Sequence, residues 1–127
     1  MSHIEHAGAS HPEHGAVLTK AVVRAAERLK VPSKVLATAL GLSEPTVSRM
    51  RRGSFALAPT SKPFELGVLL VRLFRSLDAI AGGDDSAAAA WLVNANTALD
   101  GRPIDKIQKV DGLVDVIAYL DARRARV

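Results

Sequence analysis

Ser33 to Arg52 reads SKVLATALGLSEPTVSRMRR, and the interpretation of the whole chain turns on it. Two short helical segments meet at Gly41. Leu36, Ala37, Leu40, Leu42, Val47 and Met50 are spaced to close one apolar corner, with the small Ala37 where a second helix approaches. Gly41 follows the last periodic residue of the first segment, where a left-handed cap costs glycine least. Ser33 reads as the cap of the first segment and Ser43 as the cap of the second. Glu44 and Pro45 then fall in a first turn that tolerates both acid and proline. The second segment turns Val47 and Met50 inward and leaves Glu44, Ser48, Arg49, Arg51 and Arg52 outside. This is the layout of a helix-turn-helix, whose second helix enters the DNA major groove.

Ala37, Gly41 and Val47 stand four and six positions apart, the spacing of the common bacterial and phage repressor motif. The candidate DNA-binding residues follow from it. Lys34 is placed for phosphate. Ser43, Thr46, Ser48, Arg49 and Arg52 are placed for the groove, with Arg49 suited to a bidentate contact with guanine. Arg51 is expected on phosphate. One such unit reads only a few base pairs, so a dimer on a two-fold operator is expected. The plainer alternative is a helical corner that only holds a domain together.

Charge is distributed to match. Residues 16–62 hold nine bases and two acids, a net +7, whereas residues 63–122 hold five bases and nine acids, a net −4. A basic first half fits polyanion binding, because each neutralised phosphate releases counterions. The acidic second half needs another task. Apolar residues make up 48% of the 127 and aromatics only 4%, which fits a helical core of Leu, Val, Ile and Ala. There is no cysteine, so disulfides, thiolate metal sites and cysteine nucleophiles are excluded. No membrane span or signal-peptide core is evident, and the expected location is the cytoplasm.

Four regions are expected. Residues 1–15 read as a flexible tail. Its histidines, His3, His6, His11 and His14, lack the frame of a metal site. Residues 16–60 form the helix-turn-helix unit, opened by a helix from Ala16 to Val31 with Leu18, Val22, Ala25 and Leu29 on one face. Residues 61–83 are a connecting or dimer helix capped by Ser61. Its wide stripe (Leu66, Leu69, Leu70, Leu73, Phe74, Leu77, Ile80) serves either as the spine joining the halves or as a dimer face. In residues 84–127, an aspartate or serine at 84–86 caps a helix carrying Trp91, read as core. Pro103 opens a short helix to Lys109, Asp111-Gly112 breaks it, and a last helix runs from Leu113 to about Arg124, turning Leu113, Val116, Ile117 and Leu120 to the core.

Here the sequence becomes recognisable. Trp91-Leu92, Asn96, Leu99, Gly101, Pro103, Ile107, Gly112, Val116 and Leu120 form an ordered set. It resembles the C-terminal toxin-binding domain of Xre/MbcA/ParS-type antitoxins. With the helix-turn-helix, the resemblance covers about residues 16 to 122. It implies an all-α protein, with an Xre-like unit joined by a long helix to a small toxin-binding domain. It also implies a type II antitoxin whose partner is a RES-domain toxin, a family linked to NAD consumption. Such a protein would cover the toxin's active site and repress its own operon. The residues expected to meet the toxin are Leu113, Tyr119, Arg123, Arg124, Arg126 and Val127.

Two further readings stand beside this one. One is a plain transcription regulator whose second domain dimerises or senses a ligand. The other is a toxin-binding module that no longer contacts DNA. An enzyme is not expected, since no nucleophile has a general base near it and no strand leads into a glycine-rich phosphate loop. No cofactor is expected.

Overall fold

The computed structural model describes residues 12–125. Among them the chain is helical throughout. The helices are α1 (Pro12–Arg28), α2 (Ser33–Leu40), α3 (Glu44–Arg52), α4 (Lys62–Ile80), α5 (Asp85–Val93), α6 (Pro103–Lys106) and α7 (Val110–Ala125). A single 3₁₀ turn spans Thr97–Leu99, and no strand forms beyond an isolated Asn96–Gly101 bridge.

The first three helices end in the same way. At Gly41 the next amide reaches back to Ala37 O while Gly41 N bonds Thr38 O, and Gly53 repeats this with Arg49 O and Met50 O. Both glycines sit in the left-handed region, as expected for Gly41. The first helix uses Lys30 instead. Its φ is 57°, with Val31 N on Ala26 O at 2.8 Å and Lys30 N on Glu27 O at 3.2 Å. Helix α1 therefore stops at Arg28, before the Val31-Pro32 step expected to end it. Ser33 is not a cap either. Pro32 holds that position in extended backbone with no side-chain bond, and Ser33 is the first helical residue. Ser43 caps α3 and Ser61 caps α4, accepting from Thr46 N and Phe64 N.

At the other end, α1 begins at Pro12, so residues 12–15 belong to the folded unit and not to a tail. The reason lies at Gly15. A Cβ there would stand 2.1 Å from Leu57 O, so only glycine lets the loop after α3 lie on α1. Thr19 fastens the contact. Its buried hydroxyl donates to Gly15 O at 2.6 Å and accepts from Leu57 N at 2.9 Å, and Leu57 fills the core beneath. Residues 1–11 of the expected tail, with three of its histidines, lie outside the described residues.

Helix α4 is the spine. It packs on α1 and α2 through one part of its surface and on α7 and α5 through another. Leu66, Leu70, Leu73, Phe74 and Leu77 are buried in a core that runs unbroken from Val22 and Leu40 to Val116 and Leu120. α1 and α4 run side by side in the same direction. Gly67 lies against Leu18 and Val22, and in the last turn of α4, Asp78 accepts from Arg28 at the end of α1.

In the second half, Asp84 is the cap of α5, accepting from Ala87 N at 3.1 Å. The short helix stops at Lys106, earlier than expected. Asp111-Gly112 does not break the chain but lies in the first turn of α7. Gly112 is there for closeness, since a Cβ would stand 2.1 Å from Lys106 O. The end of α6 thus rests on the start of α7. Leu113, Val116, Ile117 and Leu120 then point into the core.

Candidate DNA ridge and toxin-binding surface

α2 and α3 meet through Leu36, Leu40, Val47 and Met50, all buried. This burial fixes which side of α3 faces outward. Ser43 Oγ and Thr46 Oγ1 lie 2.9 Å apart, and Arg49 Nη2 donates to Thr46 Oγ1 at 3.0 Å. The cap, the first-turn hydroxyl and the guanidinium thus form one chain of hydrogen bonds along the helix surface. Arg49 and Arg52 are exposed, Ser48 is half-exposed, and Lys34 is exposed on α2. A pre-oriented arginine beside hydroxyl groups suits hydrogen bonding to base edges and phosphates.

Arg51 is a correction. It was expected on phosphate, but its guanidinium is turned inward. Nη2 donates to Val31 O at 2.9 Å, and Nε is buried without a partner among the described residues. It braces α3 against the loop that ends α1. The sequence misplaced Arg51 because it sits between the outward Arg49 and Arg52, and charge alone does not distinguish an arginine that caps a carbonyl.

The second half offers a different surface. Tyr119 stacks on Trp91, with ring centroids 6.1 Å apart and planes 19° from parallel, and the Arg123 guanidinium lies 5.9 Å over the Tyr119 ring. Trp91 is half-buried, so it forms part of the rim and not the centre of the core. Val110 and Val114 are 58% and 50% exposed on the outward side of α7. They were missed as contact candidates, although two valines on the polar face of that helix are visible in the sequence.

Of the six residues expected to meet the toxin, Leu113 is corrected. It is 1% exposed and supports the domain from inside, so it presents no contact surface. Arg124 is exposed, yet its Nη1 donates to Ser76 Oγ at 3.1 Å. Ser76, buried on α4, donates a hydrogen bond to Asp121 Oδ1 at 3.3 Å, and Asp121 also binds Arg72. This network locks the last turns of α7 to the spine. Tyr119 and Arg123 share the outer face, and Arg126 and Val127 lie outside the described residues.

One further ion-pair set links the halves. Arg28 on α1 reaches Asp78 on α4 and both oxygens of Asp85 on α5. The hydrogen bond from Arg28, aided by its charge, holds the Asp85 carboxyl below its ordinary range, and Arg102 does the same to Asp105. Among the described residues no group of three or more His, Asp or Glu is placed to hold a metal ion. No described helix is long and apolar enough to cross a membrane.

An exposed basic recognition helix in a three-helix corner, joined to a second helical unit with an aromatic outer face, defines a two-part helix-turn-helix protein. Comparison with family models is more specific. The antitoxin Xre-like helix-turn-helix domain matches residues 9–72, and the antitoxin Xre/MbcA/ParS C-terminal toxin-binding domain matches residues 76–126. The chain belongs to the Xre/MbcA/ParS antitoxins, and its two matches abut within α4. A search of curated proteins found no match.

Proposed function

We propose that this antitoxin neutralises a cognate RES-domain, NAD-consuming toxin by direct binding and, as a homodimer, represses its own operon through α3. The observation that carries the DNA half is the Ser43–Thr46–Arg49 hydrogen-bonded chain on an open ridge, flanked by Arg52 and with Lys34 on the adjoining helix. Arg49 and Arg52 face the groove, with Arg49 reading bases, while Lys34 holds the backbone. The toxin half is supported by the separation of charge. The acidic second half is repelled by DNA and is free to meet a basic protein cleft. Its contacts are assigned to Tyr119, Arg123 and Arg124, and to Arg126 and Val127 beyond them.

Two measurements test this reading. The gene product encoded next to this chain is co-expressed with it, and a stoichiometric complex that suppresses NAD loss is the expected result. A homodimer alone, with no such partner, would favour the plain regulator. A mobility shift on the chain's own promoter, repeated at raised salt, should show specific binding that weakens as salt rises. No shift at any salt would leave only the toxin-binding role.

A further inference from the structure

A cleft of about 350 Å³ opens between α1 and the end of α3, a size within the range of small-molecule sites. Neighbouring contacts fix its two ends. Leu57 lies on Gly15 and Thr19, so Phe55 and Ala56 close the end nearest Ala16. Arg51 reaches Val31 O, so it closes the end nearest Glu27. From Ala16 to Glu27 the helix rises about 16 Å. Between the ends stand Lys20 and Arg24 from α1 and Arg52 from α3. These three cations are exposed, and none has a hydrogen-bond or ion-pair partner among the described residues. Arg51 Nε is buried and also lacks one. A buried donor of this kind calls for an acceptor. Half-buried Phe55 and Val23 and buried Met50 give the same cleft an apolar wall.

We propose that this cleft binds a nucleoside monophosphate. Three arginines and a lysine around one cleft suit a compact dianion, whose oxygens accept from guanidinium groups in pairs. The base lies against Phe55 and the apolar wall beside it. Glu27 limits the ligand. Its exposed carboxylate has no partner among the described residues and opposes a second phosphate at that end. A monophosphate is therefore favoured over a polyphosphate or a passing DNA strand. A DNA backbone would also leave Phe55 and Val23 uncovered. Arg52 belongs to both surfaces, since it faces the groove in the proposed DNA reading. The inference rests on that reading for one consequence only. A bound nucleotide draws Arg52 away from DNA and lowers affinity for the operator.

The test is calorimetry of the full chain without DNA, so its outcome does not depend on whether α3 reads an operator. The chain is titrated with AMP, GMP, CMP and UMP. At least one should bind with a Kd below about 1 mM, and at least about tenfold more tightly than its nucleoside or inorganic phosphate. Lys20→Glu and Arg24→Glu, both at exposed positions, should each weaken it at least about tenfold, with unchanged circular dichroism and melting. Phe55→Leu should weaken the nucleotide and leave inorganic phosphate unmoved. Binding of none of the four, or binding unmoved by both charge reversals, overturns the proposal. Inorganic phosphate that binds as tightly as the nucleotide overturns it too. If Lys20→Glu weakens promoter binding while no nucleotide is taken up, the cleft belongs to the DNA backbone and the proposal falls. A nucleotide that binds should lower promoter affinity several-fold, and unchanged affinity overturns the role of Arg52 in coupling. If a nucleotide binds yet Arg49→Ala shifts promoter DNA like wild type, the DNA reading fails while the nucleotide site stands.

Discussion

Arg28, the last residue of α1, grips both carboxylate oxygens of Asp85, the first residue of α5, at 2.8 and 3.2 Å. The pair ties the DNA-facing half to the toxin-facing half at their outer edge. Its pH dependence has a definite sign. The Asp85 carboxyl is lowered in the folded chain, first by the hydrogen bond from Arg28. Its stabilisation is therefore complete above the ordinary aspartate pKa of about 3.9 and is lost as pH falls through the lower folded value. Thermal melts between about pH 5 and about pH 2.5 should show a shallower acid decline for Asp85→Asn than for wild type. Equal slopes would mean the pair is broken in solution.

Lys30 occupies a conformation that its neighbours at equivalent helix ends assign to glycine. Its side chain is exposed and takes part in no hydrogen bond or ion pair among the described residues. Lys30→Gly should stabilise the protein by about 0.5–1 kcal/mol, despite the added freedom of the unfolded chain. A denaturant titration measures this directly.

Gly15 and Gly112 each lie where an added Cβ would meet a carbonyl oxygen at 2.1 Å. Backbone cannot yield as a side-chain tip does. Gly15→Ala should lower stability by about 1–3 kcal/mol by lifting the loop after α3 from α1, and Gly112→Ala should do so by parting α6 from α7. Gly41→Ala, which meets nothing within 4 Å, should cost only the left-handed backbone penalty.

Arg49 and Arg51 are neighbours on α3 with opposite expected phenotypes. Arg49→Ala should keep the fold and lose about 1–3 kcal/mol of discrimination between operator and mismatched DNA. Arg51→Ala should lower the melting temperature, because Val31 O loses its donor, and weaken DNA only through the fold. Paired melting and mobility-shift measurements separate the two.

On α7, Leu113→Ala should destabilise by about 2–5 kcal/mol, as expected of a fully buried leucine. Tyr119→Ala should leave more of the stability intact while weakening capture of the toxin. If the toxin is captured equally well without Tyr119, the contact face lies elsewhere on the domain, and Val110 and Val114 are the next substitutions to make.

The repressor-like corner was legible because every signal in it is local. Ser43 accepts a bond from three residues on, Gly41 takes its own backbone angle, and Val47 and Met50 are set by the 3.6-residue period. The same holds for Ser61 and Asp84 as caps. Where the sequence misled most, the partner was distant. Gly15 is fixed by Leu57, and Arg51 by Val31.

The chain's order of residues by itself determined a helical protein with a basic reading corner, a long spine and an acidic second half, since periodicity, capping and charge act within a few residues or add along the chain. Only the tertiary structure decided that Pro12 to Gly15 join the fold and that Arg51 faces inward beside an outward Arg49. Those choices depend on which carbonyl or side chain arrives from another helix, and no local rule carries that information.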